Sequence, residues 1–137
     1  RLIFNLDATY TLAKAIGEEA GSDLIPLAPD YTMVGGLNYS FGSGFNTGFN
    51  VRYLDNRPAN EDNSIVALGY TVFDFNLGYR LKNIETNLSI QNITNTEWNE
   101  TQFATESRLK DEAEPVEEIH FTPGTPFFAK FSIGYRF

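Results

Sequence analysis

The sequence predicts an all-β chain: six strands of an antiparallel, up-and-down transmembrane β-barrel, making one segment of its wall. Three observations predict it. Six stretches alternate in polarity with period two, one side of every stretch is free of charge, and the connections are short and long by turns.

In the first stretch Leu2, Phe4, Leu6, Ala8, Tyr10 and Leu12 share a face, opposite Asn5, Asp7, Thr9 and Thr11. The second sets Tyr31, Met33, Gly35, Leu37, Tyr39 and Phe41 against Thr32, Gly36, Asn38 and Ser40. The third sets Phe45, Thr47, Phe49, Val51 and Tyr53 against Asn46, Gly48, Asn50 and Arg52. The fourth sets Thr71, Phe73, Phe75, Leu77, Tyr79 and Leu81 against Asp74, Asn76, Gly78 and Arg80. In the fifth, Ile84, Thr86, Leu88 and Ile90 oppose Glu85, Asn87, Ser89 and Gln91. The last opposes Phe127, Ala129, Phe131, Ile133, Tyr135 and Phe137 to Lys130, Ser132, Gly134 and Arg136.

None of the 33 positions on the apolar side is charged, whereas the polar side carries Asp7, Arg52, Asp74, Arg80, Glu85, Lys130 and Arg136. A soluble antiparallel sheet with one face on a core also alternates. Strand length separates the two readings. These stretches exceed the globular norm of about 5–6 residues and approach the ~9–11 of a tilted membrane strand. Aromatics close both ends of the apolar face, as interfacial girdles do: Tyr39, Phe41, Phe45, Tyr79, Tyr135 and Phe137 at one rim, Tyr10, Tyr31 and Tyr53 with Trp98 at the other. Phe49, Phe75 and Phe131 are therefore expected to face hydrocarbon and not a second protein layer. The seven charges opposite them read mainly as cross-strand pairs.

Gly42-Ser43-Gly44 and Lys82-Asn83 make two tight turns, while the other connections run over roughly 15–30, 58–66 and 94–125. Those long connections hold most of the acid: 14 of the 18 Asp and Glu lie within 15–30, 58–65 and 95–124. The net charge of −8 argues against nucleic acid as a partner. Cysteine is absent, so there is no disulfide scaffold and no thiolate metal site. One His and no Gly-rich loop opening a helix leave no catalytic constellation, and no cofactor is expected. The length suits one domain. The chain opens at Arg1 inside a strand and reads as the tail of something longer, because an open wall leaves unpaired amides in hydrocarbon.

Four elements in order resemble the C-terminal portion of a TonB-dependent outer-membrane receptor. Ile25-Pro26-Leu27-Ala28-Pro29 resembles the "plaP" segment ahead of a strand, and Gly69-Tyr70 with Asp74-Phe75-Asn76-Leu77-Gly78-Tyr79 the "gY…vdl.lgY" strand. Ile90-Gln91-Asn92-Ile93-Thr94-Asn95 through Trp98 is similar to "vNNLfd..Y", with Trp98 in place of Tyr and Ile93 in place of Leu. Pro123-Gly124-Thr125-Pro126 ahead of a strand ending in Phe137 is similar to the closing "PG.P" strand, although Phe127 stands where many members have Arg.

The resemblance implies a barrel of about 22 strands, with residues 1–137 as its last six, in the outer membrane of a Gram-negative bacterium. It implies TonB-dependent uptake of a scarce nutrient such as a siderophore, metal complex or saccharide, and no enzymatic step. A passive porin-like channel and a soluble β-sheet binding module are the alternatives. The implied partners are the rest of the barrel with its plug domain, TonB, outer-membrane lipid, the barrel-assembly machinery and a surface lipoprotein. The short turns would then be periplasmic and the long loops extracellular. Lys130 to Phe137 also resembles the C-terminal signal read by the assembly machinery, with Lys130, Tyr135 and Phe137 as its landmarks.

The connection 95–124 is too long for an ordinary structureless link. It is expected to fold over the barrel mouth as a gating or ligand-contact loop, with Trp98, Arg108, Glu117, Glu118 and His120 as its candidate residues. Glu117, Glu118 and His120 together offer oxygen and imidazole ligands that suit several divalent ions, although a lone His among acids is ordinarily a hydrated loop residue.

Overall fold

The structure, a computed structural model, describes residues 1–137. It contains ten strands: β1 (Leu2–Tyr10), β2 (Tyr31–Ser40), β3 (Phe45–Leu54), β4 (Arg57–Pro58), β5 (Val66–Ala67), β6 (Tyr70–Leu81), β7 (Ile84–Gln91), β8 (Asn99–Ser107), β9 (Val116–Pro123) and β10 (Phe128–Tyr135). Six of them form one antiparallel sheet in the order β1-β2-β3-β6-β7-β10. These are the six amphipathic stretches of the sequence, paired in up-and-down succession.

The register carries the alternation across the whole sheet. Phe4 pairs with Leu37, Leu37 with Phe49, Phe49 with Phe75, Phe75 with Ile90, and Ile90 with Ala129. A one-residue slip at any of these ladders would turn a charged row onto the apolar face, so polarity fixes the register. The apolar side has no protein layer over it: Phe49 is 42% and Phe131 67% exposed. Aromatic pairs close its two ends, Phe45 with Tyr79 at 4.2 Å and Tyr39 with Phe41 at 4.4 Å on the short-turn rim, Tyr10 with Tyr31 at 4.7 Å on the other.

The polar side follows a different rule. Its rows repeat Asn–Gly–Asn: Asn5–Gly36–Asn50, Asn38–Gly48–Asn76 and Asn46–Gly78–Asn87. A Cβ on Gly36 would sit 2.6 Å from Asn5 Oδ1, one on Gly48 2.5 Å from Asn38 Oδ1, and one on Gly78 2.5 Å from Asn46 Oδ1. Each glycine therefore leaves the space into which a neighbouring asparagine amide folds flat along the sheet.

The strand ends differ from the sequence reading by a residue or two, for local reasons. Leu12 lies beyond β1 because the Thr11 amide donates to the Asp30 carbonyl and the ladder stops there. Phe127 lies before β10 because its amide donates to Asn95 Oδ1. In the tight turns, Gly44 at φ 93° and Lys82 at φ 49° supply the left-handed residue a short hairpin demands. A larger difference concerns the connection 95–124, which is largely a second hairpin, β8 paired with β9 from Asn99↔Pro123 to Ser107↔Val116. The connection after β3 contains a short ladder of its own, Arg57↔Ala67 and Pro58↔Val66. What core there is sits at this end: Ala59, Ala67 and Val72 are the buried apolar residues.

Phe49→Arg is expected to destabilise the complete barrel in lipid vesicles by about 2–4 kcal/mol, the cost of an Arg on a lipid face at mid-depth. Asn50→Arg, one residue along on the polar face, is expected to cost about 1 kcal/mol or less. Urea unfolding of both variants checks the pair, and equal losses would mean the faces are assigned wrongly.

Candidate functional site

All three long connections emerge on one rim and are tied to one another. In the first, 11–30, the Ala15 amide donates to the Asp23 carbonyl at 2.7 Å and Lys14 Nζ to Asp23 Oδ2 at 2.6 Å. The Lys14 ammonium holds the Asp23 carboxyl below the usual carboxylate range. This closure is therefore present at neutral pH and is lost as pH falls through the lowered Asp23 value. The Leu27 amide, on a residue at φ 63°, donates to the Pro58 carbonyl at 2.7 Å, and the Leu24 amide to the Glu61 carbonyl at 3.2 Å. A leucine in left-handed backbone is strained, and here the strained residue carries the contact between two loops.

The second connection is joined to the β8–β9 hairpin by Gln102, which is 3% exposed. Its Oε1 accepts from the Leu68 amide at 3.1 Å and its Nε2 donates to the Leu68 carbonyl at 2.7 Å. One side-chain amide thus completes the backbone pairing that Leu68 lacks. Asn60 Nδ2 adds a long hydrogen bond of 3.5 Å to Glu117 Oε2.

Beneath the loops, on the polar side of the wall, lies a network centred on Asn92, which is 1% exposed. Its backbone, at φ 48°, turns the chain out of β7, and its amide N–H donates to Asp74 Oδ1 at 2.9 Å. Its Nδ2 donates to the carbonyls of Thr96 at 2.8 Å and Thr125 at 3.1 Å, and its Oδ1 accepts from the Thr96 amide at 2.9 Å. The Asn92 and Pro123-Gly124-Thr125-Pro126 motifs meet here, through residues 33 apart in sequence.

Trp98 closes the network. Its Nε1 donates to the Thr125 carbonyl at 2.9 Å, its ring lies 4.7 Å from that of Tyr70, and the Arg52 guanidinium sits 5.2 Å from its centre. A Cβ on Gly124 would enter the Trp98 ring, so glycine is required by space. Arg52 also reaches Asp74 at 3.5 Å. Trp98 therefore belongs to the polar side and not to the aromatic rim of the apolar face; the Gly124 seat and the Thr125 carbonyl draw it inward.

The five candidate loop residues do not form one site. Arg108 lies at the hairpin tip, with Nε donating to the Glu112 carbonyl at 2.9 Å. Glu118 and His120 share a strand face, 3.9 Å apart, with Ser107 Oγ donating to Glu118 and Phe103 stacked on His120 at 5.9 Å. Strand alternation sends Glu117 to the opposite face, toward Asn60. Glu117, Glu118 and His120 therefore cannot converge on one ion, and no group of three acidic or imidazole side chains is close enough to hold one. Of the polar-face charges, Arg80 and Glu85 pair directly across the turn at 2.6 Å. Lys130 faces Ser89, and Tyr135 and Phe137 meet edge to face at 5.3 Å on the apolar side.

Asn92 and Trp98 were within the motifs the sequence singled out, but their role as a clasp appears only in three dimensions. Gln102 carried no motif at all. Asn92→Ala is expected to cost about 1–3 kcal/mol, the penalty of stranding buried polar partners. Amide hydrogen exchange in the complete barrel should accelerate over 93–127 and stay unchanged in β2 and β3. Gly124→Ala should do the same, with protection regained when Trp98→Ala is added; an unaffected Gly124→Ala would contradict the seat described.

A family model described as TonB dependent receptor-like, β-barrel matches residues 2–93. No curated protein matches the chain. Among solved structures, the unliganded ferric citrate transporter FecA overlies 97% of this chain with a TM-score of 0.66 and 14% identity, a likeness of fold. The chain spans 20% of the length of that FecA chain. With the family match covering well over half of its residues, this chain belongs to the TonB-dependent receptors, as part of their β-barrel.

Proposed function

We propose that the chain forms the C-terminal wall and loop cap of an outer-membrane receptor that takes up a scarce nutrient by TonB-dependent transport. The observation that carries this reading is the charge-free face held in register across six strands, opposite a polar face and beneath loops gathered on one rim. The family's place in the outer membrane of Gram-negative bacteria and its transporter character support it, and no catalytic step is assigned to the chain. Residues 1–137 would be one part of a longer barrel, partnered by a plug domain and by TonB acting through that plug. Lipid would cover the apolar face. The nutrient class remains that of a siderophore, metal complex or saccharide.

Two roles follow for parts of this chain. The β8–β9 hairpin is the gating element. Its two ends meet where the Gly124 amide donates to the Trp98 carbonyl at 2.8 Å, and Gln102 links it to the neighbouring loop. It can therefore move as a unit about a narrow base. The last strand is the assembly element: β10 pairs with β7 along one edge only, and Tyr135 and Phe137 present an aromatic outer face. An edge of this kind is open to strand addition by the assembly machinery until the barrel closes. A surface lipoprotein would meet the receptor at the loop rim.

Excising residues 99–123 and joining Trp98 to Gly124 through a two-residue turn is expected to leave the assembled barrel in the membrane. Uptake by the intact parent receptor in cells should fall at least tenfold. Uptake by the unaltered receptor should also collapse when a protonophore dissipates the inner-membrane gradient. Uptake that persists under the protonophore would instead identify a passive channel, and unchanged uptake by the excised variant would remove the hairpin from gating.

A further inference from the structure

The β8–β9 hairpin is a sheet of two strands, and no backbone hydrogen bond joins β9 to any strand or loop but β8. In an antiparallel pair every second residue turns its N–H and C=O away from the partner, so β9 carries a row of unmet donors and acceptors along its outer edge. None of its residues is buried, and Val116 and Phe121 are 48% and 59% exposed. Proteins ordinarily blunt such an edge with lysine, proline or a bulge. From Val116 to Thr122, β9 has no Lys, no Pro and no break in its pairing. β8 is better guarded: its ladder is irregular between Asn99 and Thr101, and Gln102 is buried against Leu68.

We propose that the outer edge of β9 docks an extended basic polypeptide, which joins the hairpin as a third strand with its Lys or Arg side chains beside Glu117 and Glu118. The open edge supplies the main-chain hydrogen bonds of strand addition. Charge selects the occupant. β8 and β9 carry Glu100, Glu106, Glu117 and Glu118 and no Lys or Arg. Neither carboxylate of β9 has a strong cationic partner: Glu118 lies 3.9 Å from His120, and Glu117 accepts a long bond of 3.5 Å from Asn60. A second copy of the hairpin would set carboxylates against carboxylates, whereas a basic segment is drawn in and neutralises them. The pleat sets the pattern it must carry. Glu118 shares a face with Val116 and His120, and Glu117 shares the other with Ile119 and Phe121. Each face thus joins one carboxylate to apolar surface, so the fitting segment has basic and apolar side chains on both of its faces. The inference does not rest on the transport reading, since it needs only the hairpin folded as it is here.

The test uses the complete receptor in detergent and, as probe, a fluorescent, capped peptide of two Lys-Thr-Val-Lys repeats. Saturable binding by anisotropy is expected, with amide exchange slowed over 116–122 and unchanged in β2 and β3. Affinity should fall at least tenfold in the Glu117→Gln, Glu118→Gln double variant, whose neutral amides keep the size of the side chains. A peptide with glutamate in place of lysine should not bind. Neither should the lysine peptide with every backbone nitrogen methylated, which keeps the charge and loses the ladder donors. These two peptides decide the matter if the double variant fails to fold. Binding by the methylated peptide would reduce the contact to charge alone and overturn the docking edge. Full affinity in the folded double variant, amides 116–122 already as slow as those of β3 in the free receptor, a receptor dimer in place of peptide binding, or no saturable signal would each overturn it too.

Discussion

Hydrocarbon accepts neither an unpaired backbone amide nor a bare charge, and the arrangement of this chain follows from that pair of prohibitions. Each inner strand of the large sheet pairs along both edges, and the strands run up and down with no crossover. Every outward side chain must be free of charge, and in a sheet of period two that leaves the charges to the other side. The apolar rows therefore line up across all six strands, and the register has no freedom left.

Once the outer face is committed, the chemistry falls to the inner face and the rim. The inner face resolves its polar load with little charge: Arg52–Asp74 and Arg80–Glu85 are its ion pairs, and asparagine amides laid over glycines fill the space between. The rim resolves its load with backbone and side-chain hydrogen bonds that tie each loop to the next. Gln102 and Asn92 are the residues on which those ties converge, and in both the buried side-chain oxygen and nitrogen are each hydrogen-bonded.

The wall was legible in the sequence because the medium imposes a single simple pattern, and six repetitions of it leave little room for another fold. The β8–β9 hairpin was not. Residues such as Gln102, Glu106 and Glu117 lie on one of its faces and Thr105, Glu118 and His120 on the other, so neither face reads as apolar and no alternation announces a strand. Trp98 reads in the sequence as part of an aromatic girdle because its direction depends on Gly124, 26 residues away, leaving room for the ring. The apparent convergence of Glu117, Glu118 and His120 failed for the opposite reason: neighbours along a strand are separated by the pleat. Gln102 sits in no sequence pattern and acquires its meaning from Leu68, in a loop that folds back on it.

The asparagine amides that lie over Gly36, Gly48 and Gly78 set the thickness of the wall. Two of these rows also carry a charge, Asp74 beside Asn50 in the Gly36 row and Lys130 beside Ser89 in the Gly48 row, whereas Arg52 stands toward one mouth and Arg80 toward the other. Charge is thus spread along the polar face from one mouth to the other. Asp74 and Arg80 are six residues apart along β6, about 20 Å at ~3.3 Å per residue. That exceeds twice the screening length of about 8 Å in physiological salt. A charge altered beside Arg52 therefore leaves the field around the Arg80–Glu85 pair untouched, and the two ends of this wall can change independently.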